Sequence, residues 1–163
     1  MNKAHITLKN TFYAVIVILI AVMVWLFSAL VSEQNIQWAR NLNKPICQPP
    51  GWVFYPIWSI LFIMIAASAI IVLNQQRKKK KRCNLAIGLF VVNAALNMLY
   101  SLLYFGMKNI LLAFLELPIL IASIILLIWC THKISKVASY LLIPYLAWVC
   151  FAAVLTGITL FIN

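Results

Sequence analysis

Residues 44–58 read KPICQPPGWVFYPIW, and they lead from a loop into a strongly apolar segment. The stretch contains four prolines, one glycine and two tryptophans. Proline has no backbone N–H to donate, and unpaired backbone groups are costly inside a lipid bilayer. We therefore expect Pro49 and Pro50 to precede a helix at the membrane edge, with Pro56 in its first turns and Gly51 allowing the chain to turn.

The composition is that of an integral membrane protein. Of 163 residues, 66% are hydrophobic and 9% are charged, and the mean hydropathy is +1.03. Soluble domains are about half apolar and about a quarter charged. The net charge is +11, because Glu33 and Glu116 are the only acidic residues. Such a balance can indicate nucleic-acid binding, but the positive residues lie between apolar segments, so we expect no nucleic-acid partner.

Five apolar segments are long enough to cross a bilayer, which takes about 20 helical residues for roughly 30 Å of hydrocarbon. They cover residues 11–31, 53–73, 85–105, 110–131 and 138–162. The sequence therefore predicts an all-α integral membrane protein, a bundle of five transmembrane helices in a single domain of residues 1–163. We expect a long first loop over residues 32–52 and a basic loop over residues 74–84.

The distribution of Lys and Arg predicts the orientation of the bundle. Ten of the 13 lie in the N-terminal segment, in residues 77–82 and after the fourth span, whereas Arg40, Lys44 and Lys108 lie on the other side. The positive-inside rule then places the N-terminus and the 77–82 loop in the cytoplasm, with the first loop and the C-terminus outside. The run RKKKKR could bind anionic lipid or nucleic acid, but topology control explains it by itself. Since the N-terminus has no Arg/Ser-rich presequence, we expect a bacterial cell membrane rather than an organelle.

Polar and aromatic residues recur at helical spacing along single faces of the predicted spans. Polar side chains in lipid usually face protein or a cavity, so we expect these faces to turn inward. The faces comprise Tyr55, Trp58, Phe62, Ala66 and Ala69; Asn93, Asn97, Tyr100, Ser101 and Tyr104; Glu116, Leu120 and Ser123; and Tyr145, Trp148, Ala152, Thr156 and Thr159. Most of these residues can be explained by helix packing alone.

Four rings are expected toward the outer ends of their helices: Tyr55, Trp58, Tyr145 and Trp148. Flat, rigid side chains at one depth suit a planar apolar ligand. They equally suit an interfacial aromatic belt if they point at lipid. The alignment with the polar faces favours an inward position for Trp58 and Trp148.

Glu116 is a carboxyl group inside the fourth predicted span. An ionised carboxylate there costs about 3 kcal/mol on insertion-type scales. No Lys or Arg lies at comparable depth, so the face that carries Asn93 and Asn97 is the expected source of a hydrogen-bond partner. The sequence leaves two hypotheses open, a structural acid or a group that contacts a ligand or carries a proton. Two prolines inside spans, Pro118 and Pro144, are expected to produce kinks.

Four motifs, in order and in spacing, resemble those of the TspO/MBR family, also called tryptophan-rich sensory proteins, translocator proteins or peripheral benzodiazepine receptors. The motifs read NLNKPICQPPGWVFYPIW, LNMLYSLLYFG, LLAFLE and LLIPYLAWVCFA, and the resemblance covers residues 38–163. The family's third-span motif usually reads Asn-x-x-Trp, where this chain has Tyr100. The resemblance implies a five-helix bundle, commonly a homodimer, with a ligand cavity that opens toward the first loop.

The resemblance also implies which residues bind the ligand. Carried over by position, the ligand-binding set is Trp52, Phe54, Trp58, Asn97, Tyr100, Glu116, Trp148, Phe151, Ala152 and Leu155. The first loop is expected to be a lid stiffened by Pro45, Pro49, Pro50 and Gly51. No catalytic residue, metal ligand or resident cofactor is expected, and the four cysteines show no metal-ligand spacing. The implied ligand is protoporphyrin IX or another tetrapyrrole.

The sequence thus predicts a membrane receptor or transport-regulatory protein. Its expected partners are a porphyrin or a similar apolar small molecule, membrane lipid and a second copy of the chain in a homodimer. One alternative, implied only by the resemblance, is an enzyme that degrades porphyrin with light or an oxidant, using Trp52, Trp58 and Trp148 as redox partners. Another is a non-catalytic interaction subunit that packs through the small residues Ala153 and Gly157.

Overall fold

The computed structural model describes residues 3–76 and 79–163, with side chains from residue 12 onward. The described α-helices are α1 (Lys3–Gln34), α2 (Ile36–Asn41), α3 (Phe54–Asn74), α4 (Lys80–Ser101), α5 (Ile110–His132), α6 (Lys136–Tyr140) and α7 (Ile143–Ile162). Five helical stretches are long and apolar enough to cross a bilayer: Phe12–Gln34, Gly51–Asn74, Lys80–Gly106, Ile110–His132 and Lys136–Ile162. The predicted all-α architecture with five spans is confirmed.

The spans are arranged as a ring around a common interior. Helix α1 packs against α3 and α4, and α5 packs against α4 and α7, while α3 also contacts α4, α6 and α7. The order around the ring is therefore α1, α3, α6 with α7, α5 and α4. Helix α5 is the most buried span and α1 is the least buried. Lipid solvates apolar side chains as well as protein does, so α1 needs no apolar partner on its outer face.

The first loop is shorter and more helical than the prediction of residues 32–52. Helix α1 continues to Gln34 and α2 follows, which leaves residues 42–50 before a 3₁₀ turn at Gly51–Val53. Pro45 is buried, whereas Pro50 and Gly51 are exposed. Pro56 lies in the first turn of α3. Pro56 thus sits where the first N–H groups of a helix have no intrahelical acceptor, so little hydrogen bonding is lost.

The basic loop is also shorter than predicted. Helix α4 begins at Lys80, so Lys80, Lys81 and Arg82 lie in its first turn rather than in a loop over residues 74–84. After Ser101 the helix continues as a π-helical turn, Leu102–Gly106. Asn109 then caps α5, because its side-chain oxygen accepts a hydrogen bond from the backbone N–H of Leu112 at 3.0 Å.

The fifth span consists of two helices instead of one kinked helix. Helix α6 ends at Tyr140 and α7 begins at Ile143, with Pro144 in its first turn. Since Pro144 has no N–H to donate to the carbonyl of Tyr140, the α-helix cannot pass through this point unchanged. Pro118, by contrast, lies inside the uninterrupted helix α5.

Candidate ligand site between the helices

Tyr145 of α7 connects three spans through the interior of the bundle. Its side chain is fully buried. Asn97 Nδ2 donates to the Tyr145 hydroxyl at 3.1 Å, and this hydroxyl donates to Asn93 Oδ1 at 3.1 Å. Asn93 Nδ2 in turn donates to Ser123 Oγ of α5 at 2.8 Å. The inward orientation predicted for Asn93, Asn97 and Ser123 is confirmed by their burial.

A second bridge joins α4 to α7 nearer the first loop. The hydroxyls of Tyr100 and Thr156 lie 2.9 Å apart, and Thr156 Oγ1 donates to the carbonyl oxygen of Ala152 at 2.8 Å. Because a threonine hydroxyl has one proton, Tyr100 is the donor in this pair. Its ring stacks on Tyr104 with centroids 5.8 Å apart. Tyr100 therefore supplies a hydrogen bond between α4 and α7 through its hydroxyl group.

Aromatic rings of α3 and α7 converge in the interior. Trp58 lies edge-on to Tyr145 with centroids 6.3 Å apart, and Phe54 lies edge-on to Trp148 at 5.7 Å. Trp148 also contacts Phe151 at 5.5 Å. Trp58, Tyr145 and Trp148 pack with a core that includes the buried residues Leu61, Leu117 and Leu120. The structure thus brings together four rings of the predicted binding set, those of Phe54, Trp58, Trp148 and Phe151.

The remaining members of the predicted set differ in burial. Asn97, Glu116 and Leu155 are buried, and Tyr100 and Ala152 are half-buried. Trp52 is 74% exposed in the turn that precedes α3, so its indole is not part of the interior cluster. Farther along α3, the predicted inward residues Ala66 and Ala69 are buried as well.

The expectation that Tyr145 and Trp148 lie toward the outer end of their helix is wrong. Both belong to the first two turns of α7. The other end of α7 is the one beside the first loop, because Asn163 Nδ2 donates to the carbonyl oxygen of Asn43 at 3.0 Å and the Asn43 N–H donates to Asn163 Oδ1 at 2.9 Å. The rings of α3 and α7 meet because Phe54 and Trp58 reach inward from the loop end of α3.

Glu116 and Trp148 carry polar atoms that are buried without a partner. Within the described residues, the two carboxyl oxygens of Glu116 have no hydrogen-bond partner. The Nε1 of Trp148 has none either. The partner predicted for Glu116 on the Asn93 and Asn97 face is wrong, because those amides are engaged by Ser123 and Tyr145. Burying an unsatisfied polar group costs about 1–3 kcal/mol, so two such groups on the packed pair α5 and α7 call for an explanation.

A cavity of about 120 Å³ opens between α1, α3 and α4. Its wall is mostly apolar, with Asn93, Asn97 and Tyr145 as polar contributors. Asn97 is the one member of the predicted binding set in this lining. Small-molecule sites usually enclose about 300–1,000 Å³. Trp58 and Trp148, which belong to the predicted binding set, instead pack against the buried core that includes Leu61, Leu117 and Leu120.

Helix α1 contributes lining residues that the sequence analysis did not anticipate. An outer groove of about 560 Å³ lies between α1 and α3. Ala21, Phe62 and Ala66 line both this groove and the interior cavity. The inward face of α1 carries no polar residue in this region, only Val17, Ile20, Ala21 and Val24. In a span that is apolar on every side, no periodicity marks the face that turns toward protein.

The chain is similar in sequence to one family of known proteins. A family model described as the TspO/MBR family matches residues 14–160. The chain is 35% identical to "Tryptophan-rich protein TspO" of Chlorobaculum tepidum, over 76% of this chain and 77% of that protein. The protein of the same name in Bacillus cereus is 32% identical over 92% of this chain and 96% of its own length. "Translocator protein" of Ovis aries is 29% identical over 77% of this chain and 74% of its own length.

Proposed function

Because the chain belongs to the TspO/MBR family of integral membrane proteins, which supports a receptor- or transport-associated role, we propose that it is a membrane receptor for a flat, largely apolar ligand. The ligand class is a tetrapyrrole such as protoporphyrin IX. It binds between α3, α4, α5 and α7, beneath the first loop.

The observation that carries this proposal is the combination of an aromatic cluster with two unpartnered polar groups. Ligand sites are mostly apolar and contain a few polar groups that orient the ligand. Phe54, Trp58 and Phe151 supply ring faces and edges, while Glu116 and the Nε1 of Trp148 are buried without a hydrogen-bond partner in the described residues. A polar group at the edge of the ligand hydrogen-bonds to Glu116 and to the Nε1 of Trp148, which removes the cost of burying them without a partner.

We expect the rings to move when the ligand enters, because Trp58 and Trp148 pack against the buried core of the bundle. The first loop is fastened to the end of α7 by the reciprocal Asn43 and Asn163 hydrogen bonds, and Asn43 Nδ2 also donates to the carbonyl oxygen of Ile162 at 3.3 Å. All three bonds are exposed and can exchange with water. Release of this contact detaches Asn43 from the end of α7 and so loosens the first loop, which leads into the part of α3 that carries Phe54 and Trp58.

The test is a titration of the purified chain in mild detergent with protoporphyrin IX, followed by the porphyrin absorbance band and by tryptophan fluorescence. We expect saturable binding. Removing an indole that contacts the ligand forfeits about 1.5–3 kcal/mol of apolar contact, so Trp58→Ala and Trp148→Ala should weaken binding by about tenfold or more. Trp129→Ala is the matched control, because Trp129 is 58% exposed on α5, and its affinity should stay within about twofold of the unsubstituted chain.

A second variant tests the polar anchor. Glu116→Gln keeps the shape of the side chain but removes its acidic proton or charge, so we expect weaker binding of protoporphyrin IX with unchanged helix content by circular dichroism. Lack of saturable binding at micromolar porphyrin would refute the proposal and favour an interaction subunit. Product that forms only under illumination would favour a porphyrin-degrading enzyme instead.

A further inference from the structure

Basic residues from two separate parts of the chain meet at one end of the bundle. Lys79 Nζ, just before α4, donates to the carbonyl oxygens of Lys133 and Ile134 at 2.9 and 3.0 Å, just beyond the end of α5. Lys133 Nζ lies 3.2 Å from the ring centroid of Trp129. These contacts bring the first turn of α4 beside the turn that joins α5 to α6. We call this group the basic cluster; it comprises Lys79, Lys80, Lys81, Arg82, Lys133 and Lys136.

No carboxylate is available to neutralise the basic cluster. The chain contains two acidic residues. Glu33 is at the far end of α1, where its Oε1 accepts a hydrogen bond from the Tyr55 hydroxyl at 3.2 Å, and Glu116 is buried inside α5. Lys80, Lys81 and Arg82 are exposed. A concentration of one sign of charge without internal counter-charges attracts anions from outside the protein.

The surface next to the basic cluster is apolar and exposed. Trp129, Val137 and Tyr140 are 58%, 61% and 57% exposed, and they lie within one or two turns of Lys133 and Lys136. Exposed aromatic rings beside lysines at the end of a membrane span are typical of the headgroup region of a bilayer. A soluble polyanion contacts only the basic residues, whereas a phospholipid contacts the basic residues with its phosphate group and the apolar surface with its acyl chains.

We propose that the basic cluster binds the phosphate headgroups of anionic phospholipids. Control of topology depends on the number of Lys and Arg residues in a loop and not on where their side chains lie. Here Lys79 is held by two carbonyl oxygens and Lys133 by an indole ring, so the two basic segments are fixed side by side. Lys79 positions the cluster, and the exposed ends of Lys80, Lys81 and Arg82 contact the phosphates.

The experiment uses the full chain in neutral detergent with added phosphatidylglycerol or phosphatidylcholine, and measures retained lipid by native mass spectrometry. The triple variant K80Q/K81Q/R82Q is compared with R40Q/K44Q/K108Q, which loses the same charge at the opposite end of the bundle. Each basic group near an anionic surface contributes about a fivefold gain in affinity, so the first variant should bind phosphatidylglycerol at least tenfold more weakly. The control should change by less than twofold.

Two additions keep the result interpretable. Because basic residues also set orientation, the variants are purified before lipid is added, and circular dichroism confirms an intact helical bundle. The charge-preserving variant K80R/K81R should retain at least half of the binding. Equal loss in the two triple variants, or equal retention of the two lipids, would overturn the proposal. So would inorganic phosphate or a DNA oligonucleotide that binds the chain as tightly as phosphatidylglycerol does.

Discussion

Replacing Tyr145 by phenylalanine removes one buried hydroxyl and keeps the ring. That hydroxyl accepts a hydrogen bond from Asn97 Nδ2 and donates one to Asn93 Oδ1, both at 3.1 Å. In Tyr145→Phe, one atom of each amide loses its partner inside the helix bundle. We therefore expect the substitution to destabilise the bundle while leaving the packing of Tyr145 against Trp58 largely intact.

The magnitude follows from the two hydrogen bonds that are lost. Hydrogen bonds between membrane helices average about 0.6 kcal/mol and reach about 1.7 kcal/mol. We expect Tyr145→Phe to lower the free energy of unfolding by about 1–3 kcal/mol. The adjoining cavity of about 120 Å³ is lined by all three residues. A water molecule that entered there could replace the hydroxyl, and the effect would then fall at the lower end of this range.

The assay is reversible unfolding of the chain from mild detergent by added sodium dodecyl sulfate, followed by circular dichroism. Tyr140→Phe is the control, because Tyr140 is 57% exposed and its variant should stay within about 0.5 kcal/mol of the unsubstituted chain. In a double-mutant cycle, Asn97→Leu should cost less when Tyr145 is already phenylalanine. Equal effects of Tyr145→Phe and Tyr140→Phe, or strict additivity with Asn97→Leu, would refute this account of the network.

Two further predictions concern packing and the first loop. Gly157→Ala should destabilise the bundle by about 1–3 kcal/mol in the same assay, because the added Cβ would lie 3.0 Å from Phe114 Cε2. Gly88→Ala is the control: nothing lies within 4 Å of its added Cβ, so this variant should be neutral or stabilising. A stabilising Gly157→Ala would contradict the close contact. Asn43→Ala and Asn163→Ala should each speed porphyrin release in stopped-flow measurements, and the double variant should be no faster than the faster single one, because the two side chains share the same contact. Additive rate increases in the double variant would contradict the interpretation that Asn43 and Asn163 act through one shared contact.

Much of the fold could be predicted from the sequence because membrane insertion depends on local composition. The spans are uninterrupted apolar segments, and their lengths match the bilayer without reference to the rest of the chain. The inward faces of α4 and α5 were also predictable, since Asn93, Asn97 and Ser123 are polar groups that lipid cannot satisfy. The inward face of α1 was not, because an apolar helix gives no sign of which side meets protein.

The partners of the interior groups could not be predicted from one helix at a time. Asn93 and Asn97 were expected to hydrogen-bond to Glu116, but their side-chain amides bond to Tyr145 and Ser123 instead. Which of several acceptors an amide reaches depends on the rotation and depth of three helices together. The same reason explains why Trp52, although it belongs to the proline-rich stretch that marks the family, is 74% exposed.

The sequence by itself determined that this chain crosses a membrane five times and which polar faces avoid lipid. These properties follow from hydrophobic length and helical period, which each segment carries alone. The tertiary structure decided that Tyr145 joins α4 to α7, that Glu116 and Trp148 Nε1 remain unpaired within the described residues, and that the open cavity adjoins α1. Those outcomes depend on how helices distant in the chain are tilted and turned against one another.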